Sequence, residues 1–238
     1  MRIRVIDLET TGFAPPEGIV EIGSHDVIVE QIDEHRYSVE IDKESMRQTY
    51  VNPERVCSAE VMAVHHLTPE DWEKAPTLSE ALPIFAGADI YCAHNAKFEQ
   101  QWLNFGDAPW ICTYKSALKA FPKAPKHTNQ VLRYHLGLCM SRDERDLFPH
   151  RAWPDAWVTA HLLCRMLDDH PIDKLLEWSG APIVLEKVTF GKYKDQHWRD
   201  VPSDYLKYML SGTNLRQDVA DTCRHHLKMR KVPGFFYG

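Results

Sequence analysis

The sequence predicts an α/β fold, a mixed β-sheet packed by helices, on three observations. The chain opens with strand-like runs rich in β-branched residues, strands then alternate with helical patterns, and a long amphipathic helix follows near residue 160. Strands first, then strands alternating with helices, describe a layered sheet.

Arg2–Leu8 and Ile19–Val29 read as strands, with a further strand region between Tyr37 and Val51. Helical signals cover Ser58–Val64 and Thr77–Phe85, Asp89–Ala93 is a short buried strand, and Lys97–Asn104 reads as helix. Trp110–Cys112 reads as another strand, and helices are expected at Tyr114–Ala120, Asn129–Leu136 and Pro154–Leu167. On the last of these Ala156, Ala160, Leu163, Cys164 and Leu167 make a stripe at helical spacing. Pro171 and the Gly180-Ala181-Pro182 stretch punctuate the chain beyond this helix, and the boundary is expected between them. The expected organisation is a main domain over residues 1–175 and a small C-terminal region over 183–238. Gly191-Lys192 lacks the rest of a P-loop and is not one.

Composition narrows the class. With 44% hydrophobic and 26% charged residues among 238, the chain has material for a real core. It shows no signal-peptide pattern, and no apolar run reaches the roughly 18–20 residues that a membrane helix needs. Cys57, Cys92, Cys112, Cys139, Cys164 and Cys223 are scattered without a CxxC pair, as expected of reduced thiols in a cytoplasmic protein. The net charge of −6 is uneven: residues 187–238 hold ten Lys/Arg and five Asp/Glu, the remainder 18 and 29. A basic appendage on an acidic, metal-using body fits this asymmetry, and so does a solvated basic helix.

The chemistry begins at Asp7-Leu8-Glu9, the end of the first strand run. Residues two apart in a strand share a face, so Asp7 and Glu9 project together while Leu8 points into a core. Paired carboxylates repel unless a cation lies between them, and their hard oxygens suit Mg²⁺ or Mn²⁺. Taken alone, the pair is as readily a solvated strand edge. Two further segments add to it. Ile90–Glu99 is a buried strand running into a helix whose first turn carries Glu99. His150-Arg151-Ala152-Trp153-Pro154-Asp155 leads into the long helix, with Pro154 and Asp155 suited to its first turn.

In this order the segments resemble the DEDDh (DnaQ-like) 3′–5′ exonuclease family. The matching pieces are Asp7-x-Glu9-Thr-Thr-Gly, the stretch His94–Glu99, and His150-x4-Asp155; Val64-His65-His66-Leu67-Thr68 resembles a further family segment. Within the family the likeness is to exonuclease X, whose C-terminal region Val188–Tyr193 and the tail beyond also resemble. The resemblance implies an RNase H-like fold, two divalent ions (Mg²⁺ or Mn²⁺) and removal of mononucleotides from a nucleic-acid end, DNA before RNA. It implies that Asp7, Glu9 and Asp155 hold one ion, that Asp7 bridges to a second near Glu99, and that His150 takes the proton from water. Thr10, Thr11, Gly12 and Phe13 are expected to meet the 3′-terminal nucleotide, with Val64, His65, Asn95 and Phe98 along its base and sugar; Phe98 is equally well core packing. Glu99 departs from the family's Asp, and either reaches the second ion on its longer arm or points away into a surface ion pair. An RNA exonuclease and a non-catalytic binder of nucleic-acid ends are the competing readings. Protein partners are not indicated.

Overall fold

The computed structural model describes residues 1–32, 37–212 and 215–231. Strands β1 (Arg2–Thr10), β2 (Ile19–Gln31), β3 (Tyr37–Tyr50), β4 (Ile90–Ala93) and β5 (Trp110–Cys112) form one sheet in the order β3-β2-β1-β4-β5. The β1–β2 and β2–β3 pairs are antiparallel, and β4 runs parallel to both β1 and β5. This is the mixed sheet the sequence leads one to expect.

Central β1 is buried on both faces, and its period of two assigns each residue. Ile3 and Val5 enter the core on one side; Ile6 and Leu8 enter a second core on the other. Burying such a side chain contributes about 1.5–3 kcal/mol. Asp7 and Glu9 continue the Ile3–Val5 face beyond the end of its apolar core. Arg4 is fully buried and bonds both carboxylate oxygens of Asp26, its cross-strand partner in β2, at 2.7 and 2.9 Å.

Short helices follow: α1 (Ala59–His65) and α2 (Pro69–Trp72) pack in a cluster around Val20, while α3 (Leu78–Ala81), running into a 3₁₀ turn over Leu82–Phe85, covers the second core. Capping boxes start α2 and α3, where Asp71 and Glu80 accept from the backbone N–H of Thr68 and Thr77. Next come α4 (Ala96–Glu99), α5 (Thr113–Ala120), α6 (Asn129–Leu136), α7 (Arg142–Arg145) and α8 (Ala152–Leu167). The helix expected at Lys97–Asn104 is the shorter α4. Beyond Glu99 the bonds from Gln101 and Trp102 reach back only three residues, and a turn in which Asn104 Oδ1 accepts from Gly106 N ends the segment.

Helix α8 lies against β1, β2 and β3. Ala156, Ala160 and Leu163 of the expected stripe are fully buried, Cys164 and Leu167 half-buried, and Val158, Leu162 and Met166 widen the face. Its first turn touches the sheet backbone to backbone. A Cβ on Gly23 of β2 would fall 2.1 Å from Trp153 N, so only glycine fits.

Helix α9 (Ile172–Gly180) occupies the stretch where a boundary is expected. Pro171 precedes its first turn, where its carbonyl accepts from Lys174 and Leu175, and Leu175 is buried in the main core. The chain divides into two compact units between Ser179 and Gly180. The second has its own core of Val188, Trp198, Val201, Leu206, Met209, Val219 and Cys223, built on α10 (Ser203–Leu210) and α11 (Gln217–Met229). Residues 213–214 and 232–238 of the expected C-terminal region lie outside the described residues. None of the six cysteines forms a disulfide, and among the described residues no helix is long and apolar enough to cross a membrane.

Candidate active site

Asp7 and Glu9 leave β1 on one face, and α8 delivers Asp155 to them. One carboxylate oxygen from each of the three lies within 4.8 Å of the others. Asp155 is fixed from both sides: Oδ1 accepts from Gln130 Nε2 at 2.8 Å and Oδ2 from the His150 backbone N–H at 2.7 Å. His150 reaches this position through a left-handed turn (φ 61°) and remains exposed. Its imidazole is near enough for its charge to favour the ionised form of Asp155.

The electrostatics of the cluster are adverse in the protein alone. Burial, then Asp155 and Glu9, holds Asp7 well above the usual carboxylate range. Burial, then Asp155 and Glu21, pushes Glu9 up to about 8. Asp155 is raised by burial, against the hydrogen bonds from His150 and Gln130. Two like charges about 4 Å apart repel by about 4 kcal/mol at a partly screened protein site, more than any single bond here supplies. An all-oxygen donor set under this repulsion fits a hard divalent cation.

Glu99 stands slightly apart. It is 4% exposed, its Oε2 has no hydrogen-bond partner, and burial pushes it up to about 8. It lies outside the 4.8 Å group, yet near enough to raise both Asp7 and Glu9. Among the described residues Glu99 forms no salt bridge, and its burial keeps it off the surface. A buried carboxylate oxygen without a partner is costly, and a cation would satisfy it.

The expected substrate contacts divide into open and closed positions. Phe13 is 89% exposed, Val64 and Asn95 are exposed, and Gly12 is half-buried. Thr10 Oγ1 donates to the Gly12 carbonyl at 2.6 Å, and Thr11 Oγ1 donates to Glu17 and accepts from Gly18 N, so both hydroxyls shape the turn after β1. His65, expected along the base and sugar, is buried. His66 turns left-handed at φ 59°, the His65 ring folds inward, its Nδ1 accepts from Leu67 N at 3.0 Å, and its Nε2 meets Cys57 Sγ. Phe98 packs edge-on to Trp102 against the second core.

A second layer escapes the sequence reading. Glu21 of β2 is fully buried, opposite Glu9 in the strand register. Its carboxylate accepts from Arg151 Nε and Nη2 at 3.0 and 2.8 Å, from Ala152 N at 3.0 Å, and from Gln48. Arg151 also donates to Tyr50 Oη. This network pins the residues on either side of the turn from His150 into α8. The available signal was a single acid, Glu21, inside the otherwise apolar run Ile19–Ile22.

A family model described as an exonuclease, RNase T, matches residues 5–163, which span all three segments of the site. The chain belongs to the RNase T exonuclease family. Exodeoxyribonuclease 10 of Escherichia coli (strain K12) is 29% identical over 232 residues, covering 95% of this chain and 99% of the relative. A DNA polymerase III PolC-type of Bacillus subtilis (strain 168) is 29% identical over 179 residues, 69% of this chain and 11% of the relative. A solved structure of exonuclease X in complex with 5′ overhanging duplex DNA is 30% identical with a TM-score of 0.62, covering 75% of this chain and 99% of that one. Escherichia coli exonuclease I with a dA16 oligonucleotide, 12% identical at a TM-score of 0.53, shares the fold over 98% of this chain and 71% of its own length. This exonuclease family depends on divalent metal, and Asp7, Glu9 and Asp155 are the acidic cluster this member offers.

Proposed function

We propose that this exonuclease shortens DNA from its 3′ end, hydrolysing the terminal phosphodiester bond to release a nucleoside monophosphate. One observation carries the reading: Asp7, Glu9 and Asp155 converge from two elements beside an exposed histidine. DNA is favoured by the whole-length likeness to an exodeoxyribonuclease and by the DNA-bound relative. Asp7, Glu9 and Asp155 would hold one divalent ion, and Asp7 and Glu99 a second, Mg²⁺ or Mn²⁺. Such a pair supplies hydroxide at neutral pH and neutralises charge on the attacked and leaving oxygens. His150 would take the proton of the attacking water, the general-base role that a positioned imidazole most often fills. The turn Thr10–Gly12 and exposed Phe13 receive the terminal nucleotide, with Val64 and Asn95 beside it; catalysis belongs to the first unit.

A digestion series on matched DNA and RNA oligonucleotides labelled at the 5′ end tests this. The expected product is a ladder shortening one nucleotide at a time, on DNA before RNA. Internal fragments would remove the exonuclease reading, and faster loss of RNA would move the substrate to RNA. His150→Ala should lower the rate on the order of 10²–10⁴-fold while calorimetric metal binding persists.

Glu21 is read as a positioning residue. Glu21→Gln removes a charge that attracts cations to the cluster and loosens the Arg151–Ala152 anchor, so both effects weaken metal binding. A 10–100-fold rise in the metal concentration for half-maximal activity is expected, the scale of outer-shell changes. A drop in melting temperature with no change in that midpoint would leave Glu21 a purely structural role.

A further inference from the structure

The C-terminal unit carries a row of aromatic rings that runs from Tyr193 and Tyr205, packed against its core, out to exposed Tyr208. Tyr193 packs edge-on to Tyr205 with ring centroids 4.7 Å apart, and Tyr205 lies 6.0 Å from Tyr208. Lys192 Nζ sits 5.5 Å over the Tyr193 ring. Gly191, at φ 70°, brings this loop against Tyr205, whose Oη is 3.4 Å from where a Cβ would stand. Beneath the row the core is already closed by Trp198, Leu206 and Met209. Yet Tyr208 is 72% exposed, and Phe190, edge-on to Trp198 at 6.5 Å, is still 39% exposed, so both rings leave area open.

The charge around the rings is mixed with a small positive excess: Lys187, Lys192, Lys194, Arg199 and Lys207 stand against Glu186, Asp195, Asp200 and Asp204. Lys192 and Lys194 are exposed and have no carboxylate partner among the described residues. Of the nearby acids, Asp204 meets Lys207 at 3.4 Å and Asp200 meets Arg199 at 3.8 Å, while Glu186, 3.7 Å from His197, and Asp195 are exposed. The basic groups of α11 contribute less than the sequence suggests. Arg224 bonds Asp221, and Arg230 bonds Ser203 Oγ and the carbonyls of Arg199 and Val201. The unspent positive charge thus includes Lys192 and Lys194, in the same loop as Phe190 and Tyr193.

Exposed rings flanked by unpaired cations suit a single strand, whose bases have apolar faces to stack and whose backbone carries the charge. We propose that Phe190, Tyr193 and Tyr208, with Lys192 and Lys194, form a single-stranded DNA-binding ridge on the C-terminal unit, separate from the catalytic residues. The assignment rests on the reading that DNA is the substrate. It gives the C-terminal unit the task of retaining a long strand.

The test uses the full chain, a 5′-fluorescent oligo(dT) of about 20 nucleotides, and EDTA to prevent cleavage. Tyr208→Ala should weaken binding on the order of 5–100-fold, the range for losing one stacked base, and Tyr208→Trp should restore it. In the double variant Lys192→Ala with Lys194→Ala, the slope of log affinity against log salt should flatten by about 1.4, two single-strand phosphate contacts' worth. Nucleotide release from an oligo(dT) of four nucleotides, which offers few bases to stack, should be unchanged in every variant. Folded variants that hold the long strand with wild-type affinity and salt slope would overturn the ridge. If the wild type releases nothing from the short strand, the catalytic reading fails, while the binding comparison still decides the ridge.

Discussion

Asp7→Asn is expected to lose nucleotide release by at least on the order of 10³-fold and yet, in EDTA, to melt at a higher temperature than the wild type. The loss follows from removing the carboxylate common to both proposed metal positions. The gain follows from the cost of keeping three acids together. Asp7 and Glu9 are held above their ordinary range in the fold, Glu9 up to about 8. Groups raised in this way stabilise the fold below the ordinary carboxylate range and lose that contribution as pH rises towards 8. The melting advantage of Asp7→Asn should therefore widen between about pH 5 and pH 8, at about 2–4 °C for each kcal/mol relieved in a chain of this size. Saturating Mg²⁺ or Mn²⁺ should reverse the order, since ligand binding stabilises only the protein that binds it. Scanning calorimetry with and without metal decides the point. A variant that melts lower than wild type in EDTA at pH 8 would mean that Asp7 does not face the repulsion described.

Glu99→Ala should lose activity by about a hundredfold or more, since it removes a carboxylate proposed to hold the second ion and outer-shell losses alone reach about that scale. Glu99→Asp should retain or improve activity. The reason is the buried Oε2 with no partner, close enough to raise Asp7 and Glu9 but outside their 4.8 Å group. A longer carboxylate reaching a metal position is tolerated better by Mn²⁺ than by Mg²⁺, which demands near-ideal geometry. The ratio of rates with the two metals should therefore shift between the wild type and Glu99→Asp. Wild-type rates for Glu99→Ala in both metals would remove Glu99 from catalysis and leave Asp7, Glu9, His150 and Asp155.

Much of this site was legible because its signals are local. Asp7 and Glu9 are two apart on a strand, so period puts them on one face; His150 and Asp155 join them only through the resemblance, since a helix start alone explains both. The first two strands and α6 were legible from local signals too. Glu21 and Arg151 were not: they stand 130 residues apart, and no periodicity links a lone acid in one strand to an arginine before a distant helix. The inward turn of His65 depends on the left-handed residue after it, in a segment whose sequence reads as an exposed helix end. Helix α9 was hidden by Pro171, which reads as a stop but here stands just before a start.

Gly23 bears on how variants of this enzyme should be judged. It pairs with Asp7 across β1 and β2, and it has the backbone of Ala152 and Trp153 directly against it. The gap between the acids of β1 and the acid of α8 is therefore gauged by main chain meeting main chain, with no side chain able to give way. A chain with every motif residue in place but any other amino acid at this position would hold the right ligands at the wrong span. Counting catalytic letters would pass such a sequence as active; the one silent glycine behind them decides whether the letters can act together.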